Sequence, residues 1–227
     1  MDRNILKALQ LCPLFVGFSN EELYFVFDRV PYRMVRLGKK DPYLLAGDSC
    51  CNVDFVVHGE IAVRMSGASG KSVQVCVKTT GALLSTAFIF SDDNTMPVSL
   101  ECIKPATLFR ISPEMFQKMM DDDQRLRINF IRMLSNSCNY MVKKVRMLTL
   151  HTVREKVAIF LLQESRRHCS DSFLLTMSRQ EIADCFAVQK FSLQRSLKEF
   201  ADEGIISLDG KHITILKKQD LISVAEA

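Results

Sequence analysis

The sequence predicts an α+β protein: a small β-roll, then one long helix, then a winged helix-turn-helix. Three observations support this. Short β-rich runs separated by glycines occupy residues 32–109, which is typical of a small antiparallel roll. Apolar residues then recur at helical spacing over residues 123–150. The chain closes with two capped helical segments and a hairpin signal.

The overall composition is that of an ordinary globular protein. Of 227 residues, 48% are hydrophobic and 25% are charged, which is enough to bury a core. No run approaches the roughly 20 apolar residues of a membrane span. The N-terminus is interrupted by Lys7 and Pro13 and lacks a signal-peptide cleavage site. We therefore expect a cytoplasmic protein without a membrane partner.

Motifs of zinc sites and of enzymes are absent from the sequence. The eight cysteines form no C-x-x-C pair, and the adjacent Cys50 and Cys51 suit neither a zinc site nor an easy disulfide. We expect reduced and mostly buried thiols. No G-x-x-x-x-G-K-[ST], G-x-G-x-x-G, H-E-x-x-H or G-x-S-x-G occurs, so we expect no enzyme activity.

The N-terminal part begins with a helix and continues as strands. Ser19-x-x-Glu22 is a capping box before an apolar run. The β-rich runs cover residues 53–57, 61–65 and 72–77. Gly59 and Gly70 are expected at chain reversals, because glycine reaches positive φ without a Cβ penalty. A short helix follows Ser112-Pro113.

The long helix predicts a homodimer. About 28 residues span roughly 40 Å, which is more than a small domain needs for its own packing. An apolar stripe of this length favours a seam with a second copy of the chain; a plain core helix is the alternative. The predicted seam residues are Leu126, Phe130, Leu134, Cys138, Met141, Val145 and Leu148.

The C-terminal part predicts a winged helix-turn-helix. A helix over residues 152–167 precedes a strand over 173–177. Ser178-x-x-Glu181 is a second capping box, and a further helix is predicted over residues 190–202. Two strands joined by Asp209-Gly210 indicate a type I′ hairpin. The predicted domains are a sensor (1–120), a dimerisation helix (121–150) and a DNA-binding domain (151–227).

Several motifs, in order, resemble one known family. They are Leu14-Phe15-x-x-Phe18-Ser19-x-Glu21-Glu22-Leu23, Ala46-Gly47-Asp48, Phe55–Val63, Gly70-Lys71, Gly81, Ser178–Ala183 and Ser192-x-x-Arg195-x-Leu197-Lys198. Over nearly the whole chain, this order resembles the CRP/FNR superfamily of transcription regulators. The resemblance implies a cyclic-nucleotide-binding-like sensor roll and a palindromic DNA operator. RNA polymerase is a further expected partner.

The candidate DNA-binding residues lie at the start of the two helices. The 76 residues from Thr152 carry eleven charges of each sign, so DNA binding must depend on local geometry. Arg195 is expected to make a bidentate contact with guanine, and Lys190 or Lys198 is expected to contact guanine or phosphate. The alternative is that these residues form a solvated helix face without a partner. The complete predicted set is Ser178, Arg179 and Gln180 near phosphate, and Gln189, Lys190, Phe191, Ser192, Arg195 and Lys198 near bases.

Phe191 departs from the best-known activator of the family, which has an acidic residue there. An aromatic ring cannot accept a hydrogen bond from cytosine, but it can contact a thymine methyl group. The operator sequence therefore cannot be copied from the family.

Two common effectors of the family do not suit this chain. Residues 80–101 contain no Lys or Arg, and burying a cyclic phosphate without a cation is costly. The resemblance therefore does not extend to the family's Gly-Glu…Arg-Ser phosphate cassette. An FNR-type iron–sulfur cluster needs closely spaced N-terminal cysteines, but only Cys12 precedes residue 50.

Haem is the predicted cofactor. Haem needs an apolar slot and axial donors such as His or Met, and Met147-x-x-x-His151 supplies both donors. The chain also resembles the HcpR-like branch, which implies haem-based sensing of nitric oxide and nitrosative stress. The predicted pocket comprises Met65, Leu83, Leu84, Phe88, Ile89, Phe90, Met141, Met147 and His151.

These residues are also compatible with alternatives to a haem site. The methionines can be ordinary core residues, and His151 can be a hinge residue. A fatty or aromatic metabolite, or no effector at all, competes with haem. A cyclic-nucleotide-binding subunit that does not bind DNA is the alternative from another class.

Overall fold

The computed structural model describes residues 2–66 and 72–226. The chain forms two compact units, residues 1–139 and 140–227. Their boundary falls within the long helix, so the predicted division at residues 120 and 150 stays a prediction. The turn predicted at Gly70-Lys71 lies outside the described residues.

The N-terminal unit is built on one antiparallel sheet. Its helices are α1 (Arg3–Leu11), α2 (Asn20–Asp28), α3 (Pro113–Asp122) and the first part of α4 (Gln124–Leu150), with a 3-10 turn at Pro13–Phe15. Its strands are β1 (Arg33–Leu37), β2 (Pro42–Leu44), β3 (Val53–Ser66), β4 (Ser72–Lys78) and β5 (Ser99–Ile111). The strand order is β1-β5-β3-β4, with β2 paired to β5. The predicted α+β class is confirmed.

Gly59 makes a bulge within a strand. Its φ is +101°, and a Cβ atom there would lie 2.4 Å from the Pro105 carbonyl oxygen. Only glycine fits at this close approach. The prediction of a chain reversal at Gly59 is wrong, because β3 runs through it while its register with β5 shifts between His58 and Glu60.

A buried ion pair connects the strands of the roll. Asp54 is fully buried and accepts hydrogen bonds from Arg110 Nε at 2.9 Å and Nη2 at 3.1 Å. The Tyr43 hydroxyl also donates to Asp54. Burial and the neighbouring carboxylate both raise the pKa of Tyr43. A buried carboxylate needs such partners, so the cluster fixes β2, β3 and β5 together.

The C-terminal unit contains the end of α4 and a second sheet. Its further elements are α5 (Val153–His168), β6 (Ser172–Leu174), α6 (Arg179–Cys185), α7 (Lys190–Asp202), β7 (Ile206–Asp209), β8 (His212–Ile215) and α8 (Lys218–Ala225). The strands are antiparallel in the order β6-β8-β7. The predicted helix, turn, helix and hairpin are all present. The predicted strand over 173–177 ends earlier, at Leu174, and α8 was not predicted.

The hairpin turn differs in type from the prediction. Asp209 pairs with His212, so the two loop residues are Gly210 and Lys211. Among the described residues of this turn, Gly210 alone has positive φ, at +56°. Positive φ at the first loop position is the pattern of a type II′ turn, so the prediction of a type I′ turn is wrong.

The cysteines are free, but most are not buried. Cys12, Cys50 and Cys102 are buried, whereas Cys51, Cys138 and Cys169 are exposed. Burial raises the pKa of Cys12 to about 11. The prediction of mostly buried thiols is therefore wrong. In the part of the chain that the structure describes, no helix is both long enough and apolar enough to cross a membrane.

Candidate nucleic-acid interface

The first helix of the helix-turn-helix starts at the predicted cap. Ser178 Oγ accepts a hydrogen bond from the Glu181 backbone N–H at 3.2 Å, and the Glu181 carboxylate accepts one from the Ser178 backbone N–H at 2.6 Å. This reciprocal pair satisfies free N–H groups at the start of α6. The Ser178 hydroxyl therefore stabilises its own helix.

The turn between the helices depends on a left-handed residue. Ala187 has a φ of +53°, which costs an alanine roughly 1 kcal/mol. Two hydrogen bonds compensate, because Ala187 N–H donates to the Asp184 carbonyl at 3.2 Å and Val188 N–H donates to the Ala183 carbonyl at 3.0 Å. The turn makes Gln189 the N-cap residue of α7.

Helix α7 is amphipathic and exposes a basic face. Leu193 and Leu197 are 0% and 3% exposed and anchor its inner side. Between Lys190 and Lys198 the sequence has no acidic residue. The exposed residues on the outer side are Gln189, Lys190, Phe191, Gln194, Arg195 and Lys198, while Ser192 is half-buried. This face has the size and charge to meet base edges and phosphates.

Arg195 is exposed and paired within its own helix. Its side chain is 72% exposed, and its Nε donates to Glu199 Oε1 at 2.9 Å. The second Glu199 oxygen lies 3.7 Å from Arg154 Nη1. This bond uses only Nε, so the two Nη groups of Arg195 can donate to guanine while the pair persists. An exposed pair of this kind is weak, so it restrains the side chain little.

Arg179 has a different position from the one predicted. Its Nη2 donates to the Gly210 carbonyl in the wing turn at 3.0 Å, and its Nη1 is buried without a hydrogen-bond partner in the described structure. Burial lowers the pKa of Arg179. The prediction that Arg179 is available for phosphate needs correction, because its side chain ties α6 to the wing.

The wing adds a cation that was not predicted from the sequence. Lys211 is exposed and follows the turn glycine Gly210, so its ammonium is available to a phosphate. The hairpin signal at Asp209-Gly210 could have predicted the position of Lys211 at this turn.

Gln180 is exposed at the start of α6 and donates to Asp184 Oδ1 at 2.9 Å.

Comparisons with known proteins agree with this geometry. Residues 155–224 match the family model described as a Crp-like helix-turn-helix domain. The transcriptional activator protein anr of Pseudomonas aeruginosa is 27% identical over 139 residues, 59% of this chain and 57% of that protein. The fumarate and nitrate reduction regulatory protein of Vibrio cholerae is 24% identical over 221 residues, 95% of this chain and 87% of that protein. The chain belongs to the CRP/FNR superfamily of transcription regulators.

A solved structure supports the fold of this CRP/FNR regulator. A CooA mutant from Carboxydothermus hydrogenoformans is 16% identical, with a TM-score of 0.72, and the match covers 99% of this chain and 97% of that one. The family makes the protein a DNA-binding transcription regulator. The alternative of a subunit that does not bind DNA is therefore not favoured.

The end of α4 is hydrogen-bonded to the helix-turn-helix of the regulator. Lys144 Nζ donates to the Cys185 carbonyl, the last residue of α6, at 2.7 Å. The same ammonium lies 5.4 Å from the centre of the Phe186 ring. Burial lowers the pKa of Lys144. Lys144 thus satisfies a helix-terminal carbonyl directly before the turn that leads to α7.

Replacing Lys144 by methionine is expected to destabilise the C-terminal unit by about 1–2 kcal/mol, because a charged hydrogen bond to Cys185 is lost. Urea unfolding followed by circular dichroism measures the change. Lys143→Met is the matched control, since Lys143 is exposed on the same helix. Equal stability of Lys144→Met and Lys143→Met would contradict this role.

Helix α4 also presents an exposed line at coiled-coil spacing. Ile128, Ile131, Val142 and Val145 are 44%, 52%, 62% and 59% exposed. They belong to a set with alternating spacings of three and four residues, namely Ile128, Ile131, Ser135, Cys138, Val142, Val145 and Thr149, all exposed. We call this set the α4 line. Such spacing is typical of a helix that packs along a second helix.

The α4 line differs in part from the predicted seam. Leu126 and Phe130 are 0% and 6% exposed in the N-terminal core, and Leu134 packs against that core. They are not available to a second chain, so this part of the prediction needs correction. Cys138 and Val145 belong to the α4 line, Met141 is 51% exposed beside it, and Leu148 is half-buried.

The residues predicted to line an effector pocket belong to both units. Leu83 and Leu84 are 3% and 1% exposed within the N-terminal core. Phe88 packs partly against that core, whereas Met65 is 51% exposed. Leu83 and Leu84 therefore fill the core rather than line an open slot. Phe90 lies on Phe116, with ring centres 6.0 Å apart.

Met147 and His151 lie in a groove of the C-terminal unit. The groove measures about 590 Å³, and its other lining residues are Lys143, Arg146, Leu150, Glu155, Ile159, Gln163, Ala225 and Glu226. His151 follows the last residue of α4, and its Nδ1 lies 3.1 Å from Glu155 Oε2. Hydrogen bonds from Thr152, and then the contact with His151, lower the pKa of Glu155. A carboxylate on Nδ1 leaves Nε2 as the free nitrogen of the ring.

Proposed function

We propose that this CRP/FNR regulator binds a palindromic operator as a homodimer, with one α7 helix in each half-site. The observation that carries the proposal is the exposed α4 line, whose alternating spacing suits a parallel helix pair. A two-fold dimer carries two identical readers, which match inverted half-sites. RNA polymerase is the further partner that we propose for the DNA-bound dimer.

We also propose that the sensor unit does not bind cyclic nucleotide. A cyclic phosphate requires a cation or several N–H donors when it is buried. Residues 80–101 contain neither Lys nor Arg. Within that stretch Leu83, Leu84 and Met96 are at most 3% exposed, so apolar side chains occupy the interior there.

For the signal we propose haem-based sensing of nitric oxide. The proposal keeps one of the two ligands that the sequence predicted, His151, and not Met147. Met147 packs against the apolar core of the C-terminal unit, whereas the Nδ1 contact of His151 with Glu155 leaves Nε2 for another partner. Of the two residues, His151 is therefore the one that would hold the iron of a bound haem. A bound haem would supply an iron that binds nitric oxide.

The groove residues supply the other contacts that a haem needs. Glu155 orients the His151 ring through its contact with Nδ1. Metal-binding histidines commonly have such a carboxylate on the ring nitrogen that does not bind the metal. Lys143 and Arg146 are cations suited to the two propionates. Met147, Leu150 and Ile159 offer apolar contact to the ring. The same mixture suits an organic acid with an apolar body, which is the competing effector.

Operator binding is tested with duplexes selected from a random pool. We expect the selected sequence to be an inverted repeat, and cyclic AMP to leave its affinity unchanged. A selected sequence without two-fold symmetry would contradict the dimer. An increase in affinity with cyclic AMP would contradict the proposed absence of nucleotide binding.

Haem binding is tested by titration while the Soret band is recorded. Wild type and Met147→Ala are expected to saturate at one haem per chain, and His151→Ala is expected to lose the saturable band, because only His151 suits the iron. Nitric oxide should shift the band in the first two proteins. Identical weak uptake by all three would rule out His151 as the ligand and favour an organic effector.

A further inference from the structure

Phe191 is an exposed aromatic residue on an otherwise polar face. Its side chain is 73% exposed, and it is the second residue of α7. Its neighbours on the outer side are Lys190 and Gln194, which are also exposed. An exposed phenylalanine is unfavourable in water, so the residue gains most if a partner covers it.

The position of Phe191 on α7 identifies the surface that would cover it. The first two turns of a recognition helix meet base edges in the major groove. Phe191 lies in the first of these turns, and Arg195 follows four residues later on the same side. The ring would therefore reach the bases beside the contact of Arg195.

The chemistry of the groove then selects one base. A phenyl ring neither donates nor accepts a conventional hydrogen bond, and the edges of adenine, guanine and cytosine present polar groups in the major groove. Thymine alone presents an apolar group there, its C5 methyl. We infer that Phe191 recognises the methyl group of one thymine in each operator half-site.

This inference rests on the proposed function, because it requires α7 to read the major groove. It adds a base preference that the family does not supply. The two-fold axis repeats the contact in both half-sites. The preferred operator therefore carries a symmetry-related pair of thymines, each adjacent to the base pair that Arg195 contacts.

The test removes only the methyl group. In the selected operator each thymine is replaced in turn by deoxyuridine, in symmetric pairs, and affinity is measured by fluorescence anisotropy. Replacement at one symmetric pair of positions should weaken wild-type binding by roughly 4-fold per half-site, or roughly 15-fold in total. This estimate is the transfer free energy of one methyl-sized group in each half-site. For Phe191→Ala the same replacement should change nothing.

Two further arms complete the test. Changing that thymine pair to cytosine should weaken binding by the wild type. Replacing the cytosines by 5-methylcytosine should then restore part of the lost affinity for the wild type. For Phe191→Ala, the added methyl groups should restore nothing. Phe25→Ala is the matched control, since Phe25 is 69% exposed in the other unit. It should keep the full deoxyuridine effect.

Two results would overturn the inference. Wild type could tolerate deoxyuridine at every position, or Phe191→Ala could show the same loss as wild type. In both cases specific operator binding persists, so the proposed function stands while the inference fails. Absence of specific binding by the wild type would overturn both.

Discussion

Replacing Val142 by glutamate is expected to convert the homodimer into monomers and to weaken operator binding at least about 100-fold. Val142 is 62% exposed in the single chain and belongs to the α4 line. At a two-fold seam the substitution places two carboxylates opposite each other, where burial and mutual repulsion both oppose association. Sedimentation equilibrium measures the mass, and fluorescence anisotropy measures the affinity.

A matched control separates the seam from a general effect of charge. Asn136→Glu adds the same carboxylate to an exposed position on α4, roughly 120° around the helix from Val142. This variant should stay dimeric and bind the operator normally. Circular dichroism should show native helix content in both variants, because neither side chain is buried in its own unit. A dimeric Val142→Glu protein would exclude the α4 line as the seam.

The substitution is placed at Val142 and not at Leu134, which the sequence predicted for the seam, because the sequence could not show which side of α4 is exposed. Helical spacing identified α4 and its apolar character, because the periodicity is a local property. It could not separate the side that contacts the chain's own core from the side left exposed. Leu126 and Phe130 fit the stripe, yet they pack in the N-terminal core. That separation depends on long-range packing against the roll.

The helix-turn-helix was more predictable because its signals are local. The capping box at Ser178 and the anchors Leu193 and Leu197 each act within a few residues. Arg179 was misjudged because its partner, the Gly210 carbonyl, lies 31 residues away. Contacts over such a separation leave no pattern in a single sequence. The same reason explains why the contact between Lys144 and Cys185 was not foreseen.

The groove around His151 is an intermediate case. The sequence singled out Met147 and His151 by their spacing, and both line one groove. It also grouped them with Leu83 and Leu84, which are core residues of the other unit. An apolar residue predicted for a pocket and one predicted for a core look alike in sequence, since both are simply hydrophobic.

Replacing Arg195 by alanine is expected to cost about 1–3 kcal/mol per half-site at the selected operator, because a bidentate contact with guanine is lost. The variant should also tolerate any base at the one position per half-site that Arg195 reads. Anisotropy titrations against the operator and its single-base variants measure both effects. Folding should be unaffected, since the Arg195 side chain is 72% exposed and its bond to Glu199 is a weak surface pair.

Lys198→Ala is the comparison that makes the result specific to base reading. Lys198 is exposed one turn beyond Arg195, and an ammonium on a phosphate contributes without regard to sequence. Its loss should weaken all duplexes about equally and reduce the slope of affinity against salt by roughly one ion per half-site. Arg195→Ala should instead lower the ratio of operator to random-duplex affinity. If Arg195→Ala leaves that ratio unchanged, α7 does not read bases through Arg195, and specificity has to come from Lys190, Phe191 or Gln194 on the same face.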